Sequence, residues 1–373
     1  MLDRIRHTIG HTLLNAIGWH TNRKIVVIES DDWGSIRMPS KDVYTYLLKQ
    51  GLHVDQCHYC KYDSLAGEED LSELFNVLMS FRDHCGNHPV ITANALVANP
   101  DFRKIKADNY SKYHYQLITD TLKDYPQHAN SFRLWKEGIR LNIFRPQFHG
   151  REHLHVSRWL HYLRNQSKET HIAFEQKMFG LSTHVTNEKR KSYMAAFDVE
   201  TEEEKNSQFS IITDGIHLFK ELFGYSPHSF IAPNYRWSST LETALYRNGI
   251  QSIQGLFTHK DLENRKQKIR YTGQINTSKL CSLVRNVFFE PAEFVEKDWI
   301  STCLMDIAKA FRWKKPAIIC SHRVNFIGYI DVNNRSRNLK LLRMLLSEIQ
   351  KKWPDVEFMS SDALTKLILH GEC

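Results

Sequence analysis

The chain has 373 residues, 42% hydrophobic and 12% aromatic, with 16 glycines and 10 prolines; this supports a sizeable core in one large domain or two ordinary ones. It excludes a disordered or fibrous chain. The formal charge of +8 is spread without a Lys/Arg run, which excludes a clustered nucleic-acid groove but leaves acidic glycans as partners, and no stretch approaches the ~18 apolar residues of a membrane span.

The first segment places Leu2, Ile5, Ile9, Leu13 or Leu14, and Ile17 at helical spacing, which predicts an amphipathic helix packed on the body. It lacks the continuous apolar run and small-residue cleavage site of a secretory signal. Together with seven cysteines, an odd number, this points to a reducing, cytoplasmic setting.

Lys24 to Ile28 form a β-branched run that passes straight into Glu29, Ser30, Asp31 and Asp32. Three acids in four positions at the end of a buried strand repel one another unless a positive group, such as a metal, shares the place. A helix over 40–51 follows, with Ser40 as cap and Gly51 as stop, then a second over 67–82. Cys57-His58-Tyr59-Cys60 and Cys85-Gly86-Asn87-His88 have zinc-like internal spacing, but a compact zinc knuckle would not enclose the helix between them. The four are read as incidental.

Residues 88–100 read as a second strand and 143–150 as a third, with a helix over 131–142 between them. The section 155–219 is helical, charged and aromatic, and is expected to be an insertion or cap within one domain spanning 1–373. Strand–helix alternation resumes at 228–237 and runs through 250–257, 281–291 and 315–326, then a helix over 336–354 and a strand over 356–361. Repeated β-α units predict an α/β fold with a parallel sheet. Seven or eight units without a phosphate-binding glycine loop favour a barrel over an open sheet.

In such barrels the chemistry lies at the C-terminal ends of strands. The strand ends here carry Asp31 and Asp32, Asn94, His149, the group Pro233, Asn234, Tyr235 and Arg236, and His322. His149 and His153 are four apart, and on one helical turn both rings would leave the same face. Two imidazoles and one carboxylate make a facial set that leaves positions open for water or substrate. His155, two positions further, would be turned away.

These residues resemble the polysaccharide deacetylases of the NodB-homology, carbohydrate esterase 4 type. Glu29-Ser30-Asp31-Asp32 matches that family's T-F-D-D, His149-Gly150-Arg151-Glu152-His153 its H-[ST]-x-x-H, and Cys320-Ser321-His322 approaches its L-x-H. The resemblance implies a distorted (β/α)7-8 barrel, here with the helical insertion. It also implies one divalent metal held by Asp32, His149 and His153, with Asp31 as general base and His322 as general acid. The reaction implied is attack of metal-activated water on an acetyl group of an N- or O-acetylated sugar. Zinc suits such ligands, as do iron, cobalt, nickel and manganese.

The chain departs from the family where Ile231 stands in place of the arginine of R-x-P-[YFW], with Arg236 or Arg285 as candidates to reach back to the base. Asp298-Trp299 is the nearest match to the family's tryptophan motif, and Gly150 lacks a hydroxyl. Trp33 is either a sugar-stacking platform or packing, and Asn94 either a substrate contact or a turn cap. The competing readings are a glycoside hydrolase pairing Asp31 or Asp32 with Glu29 or Glu152, and a non-catalytic glycan-binding descendant.

Overall fold

The computed structural model describes residues 17–263 and 265–371; the expected N-terminal helix lies outside the described residues apart from Ile17. One sheet is built of β1 (Lys24–Trp33), β2 (Ile91–Leu96), β3 (Phe144–Gly150), β4 (Ser229–Phe230), β5 (Ser252–Gly255), β6 (Cys281–Val284), β7 (Val287–Phe288), β8 (Ala317–His322) and β9 (Val356–Met359). Its hydrogen-bonded order is β6-β5-β4-β3-β2-β1-β8-β7, with β9 on β1, and the pairings are parallel.

β1 is the spine of the sheet. One edge pairs with β8 from Val26 to Asp31, while the other is divided between β9 at Lys24–Val27 and β2 from Ile28 onward. Covered on both faces, β1 reads as a continuous apolar run, and Ile25 to Ile28 are all buried. β6 and β7 are separated only by Arg285 and Asn286; β6 lies on β5 and β7 on β8. The two ends of the curled sheet therefore meet within a single segment, and Arg285 sits at the junction.

Helices flank the sheet. Ser40 caps α1 (Lys41–Lys49), accepting from the Val43 N–H. The short α2 (His58–Tyr62) precedes α3 (Glu68–Met79), which packs with α4 (Ser131–Arg140). Within 155–219 there is no strand among the described residues; the range holds α5 (Val156–Arg164), α6 (Lys168–Glu175), a 3-10 turn at Thr183–Val185 and most of α7 (Glu202–Phe223). The acidic start of α7 is a capping box between Thr201 and Glu204. However, α7 packs directly on β3, and a Cβ at Gly215 would stand 2.8 Å from Phe148. It belongs to the layer around the sheet, so the expected insertion takes in one flanking helix. The preceding helices share a second apolar cluster, including Trp159, Phe174 and Phe179, with Ile36, Phe102 and Leu154, which follow the ends of β1, β2 and β3.

The α3–α4 layer has no spare room at Gly138, where a Cβ would meet Phe75 at 2.6 Å and Phe144 at 2.7 Å. Gly138→Ala is expected to lower stability by about 1–3 kcal/mol through overpacking, outweighing the ~1 kcal/mol that alanine adds to a helix. Urea unfolding checks this: the midpoint should fall with the slope unchanged.

Candidate metal centre and flanking acid–base groups

The register of β1 against β2 shifts between Ser30 and Trp33, and Asp32 adopts a left-handed backbone with φ of 72°. Such a conformation is costly for a residue with a Cβ and marks a local bulge. Both carboxylates are buried there. Asp32 Oδ1 lies 3.4 Å from His149 Nε2 and 3.2 Å from His153 Nε2, while Oδ2 accepts from Arg37 Nη2 at 2.7 Å.

The histidine pair converges, but not on a helix. His149 is the penultimate residue of β3, Gly150 has φ of 127°, and the chain turns back to place His153 beside it, ring centroids 5.1 Å apart. Gly150 thus supplies a backbone conformation that glycine favours. His155 is excluded because its Nδ1 caps α5, facing the Arg158 N–H.

The protonation pattern fits a cation. His149 Nδ1 faces the Ile231 carbonyl at 2.9 Å and so carries the proton, which leaves the Nε2 lone pair pointing at Asp32 Oδ1. Two acceptors facing one another are repulsive unless a positive ion lies between them. Burial holds the His153 imidazole down at about 4, so it is neutral at pH 7. Asp32, despite burial, is held well below the usual range, chiefly by the Arg37 guanidinium. One carboxylate oxygen and two imidazole nitrogens suit a divalent metal.

Beside this set, Arg285 binds Asp31 in a two-pronged pair, Nη1 to Oδ2 at 2.8 Å and Nη2 to Oδ1 at 2.7 Å, and its Nε reaches Glu29 Oε2 at 2.6 Å. Burial alone would raise Asp31, but Arg285 outweighs it and brings the carboxyl down to about 2. Oδ1 also accepts from Asn94 at 2.7 Å, leaving the open lone pair on Oδ2, 3.8 Å from His322 Nε2. Glu29 Oε1 accepts from the Ser361 hydroxyl at 2.7 Å.

His322 at the end of β8 meets Glu290 through Nδ1 at 2.6 Å. Burial would lower the imidazole, but the Glu290 carboxylate and then Asp31 overcome it and raise it to about 9. Asn325 donates to the other Glu290 oxygen at 2.8 Å.

The remaining expected residues separate into two groups. Tyr235 joins the site, its hydroxyl accepting from Arg285 at 2.8 Å and lying 3.4 Å from Cys320 Sγ. Pro233 is buried, Asn234 is exposed, and Arg236 pairs with Asp198 rather than with Asp31. Asn94 is wholly buried and pairs amide to amide with Gln254 behind Asp31, so it supports the carboxylate from within and does not face a substrate. Trp33 is 1% exposed and packs edge-on against Trp135 and Phe144, with its N–H on Ser30, so no ring face remains for a sugar. Asp298 caps the helix Trp299–Arg312, and Trp299 is buried in the core beneath it. Cys85 lies beside His84 and His88 bonds to the Phe81 carbonyl. Among the described residues, neither joins Cys57 and Cys60 in a group close enough to hold a metal.

Three residues absent from the expected site complete it: Glu290, Arg37 and Asp63. Arg37 reaches toward Asp63 at 3.8 Å, and Asp63 is clasped by Arg323 at 3.0 and 2.9 Å. Glu290 carried a usable signal, an acid closing the apolar run 287–289, where a strand-end group was to be expected. A second cluster, Glu290, Cys320 and His322, also brings three ligand atoms together. Arg285 sets its own charge 3.2 Å from Cys320 Sγ, and burial pushes that thiol up to about 12, both unfavourable to a cation.

No family model matches the chain, and no curated protein matches it. Among solved structures it is similar to a putative polysaccharide deacetylase from Mycobacterium smegmatis, at 11% identity over 95% of this chain and 93% of that one, with a TM-score of 0.45. It is similar to a family 4 carbohydrate esterase from Streptomyces lividans in complex with acetate, at 9% identity over 90% and 91%, TM-score 0.36. It is also similar to BA3943 from Bacillus anthracis, a CE4 family pseudoenzyme, at 8% identity over 93% and 66%, TM-score 0.38. At such identities the site has to be argued from its own residues.

If Glu290 holds the proton on His322, Glu290→Gln should bring the His322 pKa down from about 9 to ~6.5 or below. Titration of the His322 ring resonances by NMR reads this directly; a value that stays near 9 would assign the shift to Asp31 instead.

Proposed function

We propose that the chain is a metal-dependent hydrolase of the polysaccharide deacetylase type, removing acetyl groups from an N- or O-acetylated sugar. The observation that carries this reading is the convergence of Asp32, His149 and His153 next to Asp31, an ionised carboxylate whose Oδ2 lies 3.8 Å from the protonated imidazole of His322. The acetyl-sugar substrate follows from the motif resemblance, and a divalent ion, zinc foremost, suits the ligands. Such an ion, when bound, polarises an acyl carbonyl and acidifies water.

The chain's own groups divide the proton work. Asp31 offers the open lone pair of Oδ2 to the attacking water, and Arg285 fixes the plane of that carboxylate. A carboxyl held near 2 is ionised throughout the physiological range, and it accepts the proton only as the acyl bond is attacked. His322 stands on the other side of Asp31 Oδ2 and gives its Nε2 proton to the departing amine or alkoxide. Glu290 keeps that proton in place until it is needed and accepts from Nδ1–H, which fixes the ring.

The glycoside hydrolase alternative loses its second carboxyl, because Glu152 is tied to Arg151 at 2.6 Å and Glu29 to Arg285 and Ser361. The binding-only alternative rested on Ile231, and Arg285 provides from β6–β7 the guanidinium that position lacks.

Screening acetylated mono- and oligosaccharides against metal-loaded protein tests the reading. Chelation should abolish acetate release and added divalent metal restore it. Asp32→Ala should lose the metal, whereas Asp31→Asn should keep it and lose about 10²–10⁴-fold in rate. His322 is protonated below about 9, so activity should persist to that pH and fall above it. Full activity in the stripped protein, or metal retained by Asp32→Ala, would refute the proposal.

A further inference from the structure

The short helix α2 supplies no ligand to the metal centre, yet one of its residues stands against both sides of it. Cys57, which precedes the helix, and Cys60, within it, are 3% and 1% exposed in an apolar cluster with Met38, Leu52 and Val54. Residues so spaced lie on one face of a helical turn, which is therefore pinned inward, and Tyr59 between them is left partly exposed. The Tyr59 carbonyl accepts from the Asp63 N–H at 3.1 Å, and Asp63 is clasped by Arg323, so the turn is also fixed at its far end.

The Tyr59 ring is edge-on to His322, centroids 5.4 Å apart, and Arg37 Cζ lies 4.9 Å from the same centroid. Arg37 holds Asp32, so the ring joins the acid on one side to the support of a metal ligand on the other. The centre opens where Tyr59 stands: the His322 side chain is 18% exposed, against 2–4% for Asp31, Asp32, His149 and His153.

Negative charge developing on an acyl oxygen calls for a hydrogen-bond donor that is not already engaged. The amides and the guanidinium around Asp31 are committed, Asn94 to Asp31 and Gln254, Asn325 to Glu290, and Arg285 to Asp31 and Glu29. The Tyr235 hydroxyl lies between Arg285 and Cys320. The Tyr59 hydroxyl has no hydrogen-bond partner among the described residues, and unlike those of Tyr113 and Tyr125 it is not sealed from solvent. Burial, then the Glu290 and Asp32 carboxylates, hold this phenol well above the ordinary tyrosine range, so it keeps the proton it would donate.

We infer that Tyr59 is a further catalytic residue of this site, its hydroxyl donating a hydrogen bond to the acyl oxygen as that oxygen gains negative charge. The inference rests on the acyl-hydrolase reading above and adds a group to it. Tyr59 transfers no proton: Asp31 takes the one from the attacking water, His322 supplies the one to the leaving group, and the phenol O–H stays intact throughout.

Tyr59→Phe keeps the ring against His322 and Arg37 and removes only the hydroxyl. Two measurements on full-length, zinc-loaded protein separate this inference from the reading beneath it. Calorimetric binding of methylphosphonate, a tetrahedral anion standing in for the attacked acyl group, needs no turnover. Tyr59→Phe should bind it about 10–100-fold more weakly at unchanged zinc content. Acetate release from an acetylated sugar should fall about 10²–10³-fold in kcat, with KM little changed. A parent protein that releases no acetate, but whose methylphosphonate affinity still depends on the hydroxyl, would sink the acetyl-sugar reading and support Tyr59 as the donor. Equal methylphosphonate affinity in parent and variant, no binding by either, or an unchanged kcat would overturn the inference.

Discussion

Arg285 is the interaction on which the rest of the site depends. Its guanidinium is fully buried and shared between Glu29 and Asp31, two carboxylates separated by one residue on the central strand. A buried charge costs several kcal/mol unless paired and hydrogen-bonded, and removing one partner leaves the others uncompensated. Here the cation stands where the two ends of the curled sheet meet. The closing segment of the fold and the orientation of Asp31 are therefore governed by one side chain. Tyr235 and Gln254 complete its hydrogen bonds, so the guanidinium has a single well-defined position.

The same logic extends outward in a chain of alternating charge. Asp32 pairs with Arg37, Arg37 approaches Asp63, and Asp63 is clasped by Arg323. Four buried carboxyls, Glu29, Asp31, Asp32 and Asp63, thus surround three guanidiniums, Arg37, Arg285 and Arg323. The pairing leaves Asp32 Oδ1 facing only imidazole nitrogens, and a cation at that point balances it. The strained backbone of Asp32 is consistent with a position held for its side chain and not for its conformation.

Much of this was legible in the sequence because it depends on strand ends. A β-branched run that terminates in acids, and a strand that terminates in a histidine, announce themselves without tertiary information. The pair His149 and His153 was found for the wrong local reason: spacing alone does not distinguish a helical turn from a strand followed by a tight return, and Gly150 was the clue to the latter. Arg285 could be named only as a candidate, since which of several arginines reaches a carboxylate is decided by how the sheet curls. Trp33 illustrates a different loss. A strand residue next to the acids faces the mouth or the core according to a bulge, and the bulge at Asp31–Asp32 sends it inward. Asn94 was placed at the right depth, but its partner Gln254 lies 160 residues away. Short pieces such as Ser229–Phe230, two residues long, carry almost no periodic signal, and their boundaries come from pairing alone.

The central claim is that Asp32, His149 and His153 hold one divalent cation. Anomalous scattering from crystals grown with zinc, paired with elemental analysis, measures it directly. The account predicts one ion bonded to Asp32 Oδ1 and to Nε2 of both histidines, with Arg285 still on Asp31. An ion found instead among Glu290, Cys320 and His322, or none bound at Asp32, would contradict it.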